Sequence, residues 1–174
     1  MFENPRIGVA GLGYVGLPTA LAFFNNGFHV VGMDINEEIV EKLRSGVSHL
    51  EDSANEFEIP NNSERWDLTT HFRHLTINSD ILLITVPTPT NDDKTPNLDY
   101  VRDAVESIMG VLEAKSGKII VLESTVYPGV TEKITKTAAK KIGLIQDEDF
   151  FIAYSPERVS PGEIGRSAED VARI

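Results

Sequence analysis

The stretch that decides the fold is Arg6-Ile7-Gly8-Val9-Ala10-Gly11-Leu12-Gly13-Tyr14-Val15-Gly16. Its apolar first half predicts a buried strand, and residues 17–26, with Pro18 near their start and Gly27 as their stop, predict a helix. Glycines at the first, third and sixth positions of the intervening turn leave room for phosphate groups at the helix N-terminus. We call residues 11–16 the glycine loop, and it predicts dinucleotide binding.

The glycines and the next strand indicate which dinucleotide. Gly11 permits the tight turn, Gly13 lets a pyrophosphate approach the backbone, and Gly16 allows close packing of helix on strand. Asp34 ends a second apolar run, residues 28–34, and lies 23 positions after Gly11. A carboxylate at that spacing accepts hydrogen bonds from an adenosine ribose and repels a 2′-phosphate, which favours NAD over NADP. The alternative for Asp34 is an ordinary turn residue at a strand end.

The rest of the chain continues the alternation of strands and helices. We predict a helix after Asn36 that closes at Ser45-Gly46, and a loop or short irregular helices on the surface over residues 47–62. Residues 66–78 receive no assignment. We then predict strands at residues 80–86, 118–123 and 149–154. One further helix is predicted from an Asn97 cap to residue 114, with Gly117 as its stop, and another over residues 130–141. Continuous apolar strands between helices predict an α/β fold, a Rossmann doubly wound parallel sheet in three αβα layers.

Composition limits the classes of function. A length of 174 residues suits one domain, and a net charge of −11, without clustered basic residues, argues against nucleic acid as a partner. The chain has no cysteine, and its histidines show no metal spacing, so we expect no metal site. Residues 7–33 hold no charged side chain, which raises a secretion or membrane alternative. Six glycines in that stretch favour a buried strand, turn and helix, hence a cytoplasmic protein without a membrane partner.

The residues after each predicted strand meet at one edge of a parallel sheet, where ligands bind. Thr88 lies between two prolines and is a candidate for lining the nicotinamide half of the crevice, with a plain rigid turn as the alternative. Thr125 offers a hydroxyl to position water and Glu157 a carboxylate base, although each is equally compatible with a structural role.

Four ordered motifs resemble the UDP-glucose/GDP-mannose dehydrogenase family: Gly11-Leu12-Gly13-Tyr14-Val15-Gly16-Leu17-Pro18, Val86-Pro87-Thr88-Pro89, Glu123-Ser124-Thr125-Val126-Tyr127-Pro128-Gly129 and Ser155-Pro156-Glu157-Arg158. The resemblance covers the family's N-terminal NAD-binding domain, which in the family continues into a central helix and a nucleotide-sugar-binding domain. It implies that residues 1–174 form one NAD-binding domain, the N-terminal part of a longer enzyme.

The resemblance also implies roles for individual residues. The cofactor-binding residues would be Gly11, Gly13, Tyr14, Val15, Gly16, Asp34, Val86, Pro87, Thr88 and Thr125. Thr125 would position a catalytic water, Glu157 would assist proton transfer or thioester hydrolysis, and Glu157 and Arg158 would contact the substrate. The resemblance thus gives Thr125 and Glu157 the catalytic roles that the residues alone left open.

Family members oxidise the C6 alcohol of a nucleotide sugar to a carboxylate with two NAD, through a thioester on a cysteine. Because no cysteine is present, we expect this chain to bind NAD without completing that oxidation alone. The motif around residues 155–162, with Pro161 where the UDP-glucose branch has a glutamate, looks more like the UDP-N-acetylhexosamine branch. We expect the full-length protein to be a homo-oligomer and this chain a monomer.

Three alternatives stay open at this point. The substrate is UDP-glucose or GDP-mannose instead, or the chain is a free-standing NAD-binding or regulatory module, since Rossmann folds also serve regulation. A dehydrogenase of the hydroxyacid or hydroxyacyl-CoA type shares the glycine loop and Asp34 but not the other three motifs.

Overall fold

The chain folds as a six-stranded parallel sheet covered by helices, in a computed structural model that describes residues 2–50 and 57–155. Its elements are β1 (Ile7–Ala10), α1 (Gly16–Asn25), β2 (Val30–Met33), α2 (Glu37–Arg44), β3 (Trp66–Thr69), α3 (Phe72–Ile77), β4 (Ile81–Ile84), α4 (Asp99–Met109), β5 (Lys118–Leu122), α5 (Val130–Ile142) and β6 (Phe150–Tyr154). The strand order is β3-β2-β1-β4-β5-β6. This order is that of a Rossmann fold, which confirms the predicted fold class.

The central strands are buried on both faces, as continuous apolar runs predict. Every residue of β1 and β2 is buried. Residue Ile7 pairs with Val30 on one side and with Ile81 on the other, so β1 lies between β2 and β4. The strand order therefore reverses between β1 and β4, and sheets of this kind bind ligands in the crevice beyond the carboxyl ends of the strands at that point.

Two hydrophobic cores cover the two faces of the sheet and give the three predicted layers. On one face, α1 and α2 contribute side chains such as Leu17 and Leu43. On the other face, α3, α4 and α5 contribute side chains such as Leu75, Ile108 and Ala138. The helices thus hold a rigid sheet, whose carboxyl edge carries the loops described below.

Two predictions of local structure need correction, and the unassigned stretch contains two elements. Residues 66–78 contain a strand and a helix, β3 and α3, where no element was predicted. Helix α4 ends at Met109 rather than residue 114, because the N–H groups of Val111 and Leu112 turn back to the carbonyls of Ile108 and Met109. Gly117 consequently stops no helix; it lies just before β5 with a φ of +63°.

Candidate functional site

The glycine loop connects β1 to α1 and is held tightly at its first residue. Gly11 has a φ of +95°, in the left-handed region that side chains rarely adopt, and its N–H donates to the Met33 carbonyl over 2.8 Å. A Cβ on this residue would lie 3.1 Å from the Thr85 carbonyl oxygen. Glycine is therefore required at this position both by the turn and by the neighbouring strand end.

The other two glycines of the loop meet opposite surroundings. A Cβ on Gly13 would meet no atom within 4 Å, so the backbone there is open to a ligand. A Cβ on Gly16 would overlap the Gly11 carbonyl oxygen and lie 2.5 Å from Thr85 Oγ1. Gly13 thus leaves the space that a pyrophosphate needs, and Gly16 lets α1 begin directly against the loop.

The start of α1 is suited to an anion. The described part of the chain provides no side-chain cap for its N-terminus, where Val15 occupies the capping position. Unpaired N–H groups at a helix N-terminus carry partial positive charge and bind phosphate oxygens. Tyr14 is 59% exposed and Val15 is half-buried, so both predicted cofactor-binding residues are on the rim of the loop. The geometry fits a dinucleotide whose pyrophosphate approaches over Gly13.

Asp34 follows β2 and is fixed by two backbone donors. The Leu12 N–H donates to its Oδ2 over 2.9 Å, and the Asn36 N–H donates to its Oδ1 over 2.9 Å. The side chain is half-buried, which leaves part of the carboxylate facing solvent. An ionised carboxylate has about four acceptor positions, so both oxygens retain capacity for ribose hydroxyls. The acid that was predicted to recognise the ribose is thus directly joined to the glycine loop.

The residues after β4 and β5 lie at the same edge of the sheet. Val86 and Thr88 are half-buried, Pro87 is exposed, and the Val86 carbonyl accepts a hydrogen bond from Ser124 Oγ over 2.7 Å. Thr125 is exposed immediately after Ser124. The structure therefore brings the predicted nicotinamide-side residues together, as the topology rule anticipates. Their contacts with a cofactor stay a prediction.

The last predicted segment is described only at its first residue. The Ser155 N–H donates to the Leu122 carbonyl over 3.0 Å, which continues the pairing of β5 with β6. Pro156, Glu157 and Arg158 lie outside the described residues. The roles of Glu157 and Arg158 accordingly stay predictions.

Three polar residues at this edge were not predicted as site residues. The hydroxyls of Thr85 and Ser124 are buried and donate to backbone carbonyls of the crevice loops. Burial lowers the pKa of the His49 imidazole, while the charge of the Asp34 carboxylate opposes that change. A hydrogen bond with the backbone of Leu12 also raises the pKa of this imidazole, as Asp34 does. Nothing in their local patterns distinguishes these residues from ordinary strand or loop residues.

Residues 2–50 and 57–155 hold no group of three His, Asp or Glu side chains placed to bind a metal ion. None of the helices in these ranges combines the length and the apolar character needed to cross a bilayer.

Comparison with known proteins agrees with this geometry. Residues 5–174 match the UDP-glucose/GDP-mannose dehydrogenase family, NAD binding domain. The chain belongs to this family. The match spans nearly the whole chain, which confirms the resemblance inferred from the four motifs and the choice of NAD as cofactor.

Individual members of the UDP-glucose/GDP-mannose dehydrogenase family are similar over the same region. A UDP-N-acetyl-D-glucosamine 6-dehydrogenase of Pseudomonas aeruginosa is 39% identical over 174 residues, covering 99% of this chain and 40% of its own length. A UDP-N-acetyl-D-mannosamine dehydrogenase of Pyrococcus horikoshii is 37% identical over 171 residues, covering 97% and 40%. A ternary complex of GDP-mannose dehydrogenase from Pseudomonas aeruginosa superposes with a TM-score of 0.85 at 25% identity, over 91% of this chain and 37% of that one. The chain therefore spans about 40% of the curated relatives that it matches.

Proposed function

We propose that this chain is the NAD-binding part of a nucleotide-sugar 6-dehydrogenase whose substrate is a UDP-N-acetylhexosamine. The observation that carries the proposal is the hydrogen bond between Asp34 and the Leu12 N–H of the glycine loop, next to Gly13, where an added Cβ would meet no atom within 4 Å. The similarity to dehydrogenases of UDP-N-acetyl-glucosamine and UDP-N-acetyl-mannosamine supports the substrate class. Residues 1–174 act in this proposal as a single domain of a longer enzyme.

Different residues of the crevice bind different parts of the cofactor. The N-terminus of α1 and the backbone at Gly13 bind the pyrophosphate, because the helix start presents N–H groups and Gly13 has no side chain. Asp34 accepts the hydroxyls of the adenosine ribose and excludes a 2′-phosphate by charge repulsion. Val86, Pro87 and Thr88 line the nicotinamide end. NAD supplies the hydride acceptor when bound.

The chemistry assigned to side chains rests on Thr125 and Glu157. Thr125 is exposed at the carboxyl edge of the sheet, where its hydroxyl can orient a water molecule. Glu157, two positions after Ser155 in the sequence, provides the carboxylate for proton transfer, and Arg158, next in the sequence, contacts the substrate. No cysteine is present in the sequence to form a thioester, so the chain alone binds NAD without turning over a UDP-sugar.

Calorimetric titration of the 174-residue chain tests cofactor binding. The proposal expects NAD to bind and NADP to bind markedly more weakly. Equal affinities for the two cofactors, or no binding of either, would contradict it. Measurable oxidation of a UDP-sugar by this chain would contradict the proposal that the chain alone binds NAD without oxidising the substrate.

The gene beyond codon 174 tests the remainder of the proposal. A cysteine in a glycine-rich segment of the translated sequence supports the dehydrogenase, and its absence supports a free-standing NAD-binding module. Turnover of UDP-N-acetylhexosamines against UDP-glucose and GDP-mannose by the encoded protein then assigns the substrate. The proposal includes a cytoplasmic, homo-oligomeric full-length enzyme, which cell fractionation and light scattering test.

A further inference from the structure

Thr85 lies at the end of β4, directly beneath the glycine loop. Its backbone N–H donates to the Ala10 carbonyl over 2.9 Å and extends the pairing of β4 with β1 by one residue. The residue is 8% exposed. The hydroxyl oxygen is 2.7 Å from the Gly11 carbonyl oxygen and 3.0 Å from that of Ala10. Since a hydroxyl has one proton to donate, the shorter distance indicates Gly11 as the main acceptor.

The peptide bond between Gly11 and Leu12 is held on both sides. Its carbonyl accepts the Thr85 hydroxyl, and its N–H donates to Asp34 Oδ2 over 2.9 Å. The two groups of a trans peptide are coplanar and point in opposite directions. Rotation of this peptide away from the observed orientation therefore breaks the contact with Thr85 and the contact with Asp34 together.

The same contact fixes where α1 begins. A Cβ on Gly16 would meet both the Gly11 carbonyl oxygen and Thr85 Oγ1, so the helix start, the carbonyl and the hydroxyl are in mutual contact. The N–H groups at this helix start are those that the proposed function assigns to the pyrophosphate. The position of the Thr85 hydroxyl thus bears on the phosphate end of the crevice as well as on its ribose end.

We propose that Thr85 is a positioning residue of the dinucleotide site. Its hydroxyl pins the Gly11–Leu12 peptide, and through that peptide it sets the orientation of Asp34 and of the glycine loop before the cofactor binds. The inference rests on the proposed NAD site but concerns a buried residue whose hydroxyl donates to the backbone of the glycine loop. It predicts that the hydroxyl, and not the bulk of the side chain, controls affinity.

The test compares Thr85→Val, which removes the hydroxyl at nearly constant shape, with Thr85→Ser, which keeps it. Calorimetric titration of the 174-residue chain with NAD and with ADP-ribose is the readout. Loss of one buried hydrogen bond predicts that the valine variant binds both ligands about tenfold more weakly. The serine variant is expected to bind within about threefold of the wild type. A valine variant with wild-type affinity would overturn the inference.

A matched control separates positioning from general stability. Thr135 is 2% exposed and its hydroxyl donates to the Thr131 carbonyl over 2.8 Å, so this bond lies within α5 and does not involve the glycine loop. Thr135→Val is expected to lower the melting temperature without changing NAD affinity. If Thr85→Val and Thr135→Val reduce affinity equally, Thr85 has only a structural role.

Amide hydrogen exchange at Leu12 tests, without any cofactor, whether the Thr85 hydroxyl holds the Gly11–Leu12 peptide. Thr85→Val is expected to speed exchange of this amide, and Thr85→Ser to leave it close to wild type. Thr85→Ala serves as the hydroxyl-free variant if the valine variant does not fold. If the wild-type chain binds no NAD, the proposed function is contradicted. If exchange at Leu12 is unchanged in a variant without the hydroxyl, the positioning role of Thr85 is contradicted instead.

Discussion

The carboxylate of Asp34 is hydrogen-bonded to the backbone N–H of Leu12, within the glycine loop, over 2.9 Å. The residue that we propose binds the ribose and the loop that we propose binds the phosphates are therefore one hydrogen-bonded unit. A second bond, from the Asn36 N–H, fixes the other carboxylate oxygen where α2 is about to begin. The carboxylate is thus oriented without help from a ligand.

Asp34→Ala is expected to weaken NAD binding by roughly 10- to 100-fold, because the ribose loses hydrogen bonds to a charged acceptor. The same change removes the repulsion of a 2′-phosphate, so the preference for NAD over NADP falls. Titration with both cofactors measures the two effects. Asp67→Asn, on the neighbouring strand β3, is the control, and unchanged affinities in Asp34→Ala would refute the assignment.

Alanine at Gly13 and at Gly16 is expected to have opposite consequences for stability. Gly13→Ala meets no protein atom, so the melting temperature stays near wild type while the methyl group blocks the approach of the pyrophosphate and weakens NAD binding. Gly16→Ala overlaps the Gly11 carbonyl oxygen, so both stability and affinity fall. Thermal unfolding combined with titration separates the two. Retained affinity in Gly13→Ala would argue against the proposed path of the phosphates.

Ser124→Ala is expected to affect only the nicotinamide end of the crevice. The Ser124 hydroxyl is 2.7 Å from the Val86 carbonyl oxygen and 3.3 Å from that of Ile84, and neither residue belongs to the glycine loop. Loss of this bond predicts NAD affinity reduced about fivefold, with ADP-ribose affinity unchanged. A parallel loss for both ligands would show instead that the whole edge of the sheet had moved.

The stability of the chain is expected to fall as the pH drops below the ordinary imidazole range, partly through His49. Burial lowers the pKa of His49 below 6.5, and Lys42 acts in the same direction, against the opposing influence of Asp34 and the Leu12 backbone. The unfolded chain therefore takes up a proton at higher pH than the folded chain, so the stabilisation present above 6.5 is lost as pH falls through the folded pKa.

His49→Gln is expected to flatten this dependence. Urea unfolding between about pH 7 and pH 5 measures it, with His71→Gln as the control. Titration of the His49 ring by NMR gives the folded pKa directly. A value at or above 6.5 would contradict the prediction.

The central sheet was predictable because its strands are continuous apolar runs between glycine and proline signals. Strand β3 was missed because Asp67 interrupts its short run at the edge of the sheet, where its carboxylate pairs with His74 at 2.5 Å. Helix α3 has only six residues, too few to show a helical period. Short elements at an edge are stabilised by contacts with distant residues, which a local pattern does not contain.

The candidate site was predictable where residue type alone reports the chemistry. Glycines that lack side chains in the glycine loop, together with an acid after the second strand, suit few ligands besides a dinucleotide. The parallel arrangement of the strands brings the glycine loop and the acid to one edge of the sheet. Thr85 and Ser124 carry no such signal, because a hydroxyl at the end of an apolar strand is common. Their roles depend on which carbonyl each hydroxyl reaches, and only three-dimensional contacts show that.

The two bonds that hold the Gly11–Leu12 peptide close chain loops of very different length. Asp34 is 22 residues from Leu12, whereas Thr85 is 74 residues from Gly11. Longer loops cost more entropy to close and delay the contacts that depend on them during folding. The first bond requires only β1 and β2, but the second must wait until the crossover brings β4 against β1. Both bonds to the Gly11–Leu12 peptide are in place only once β4 has paired with β1, so we expect dinucleotide binding to report on that step of folding.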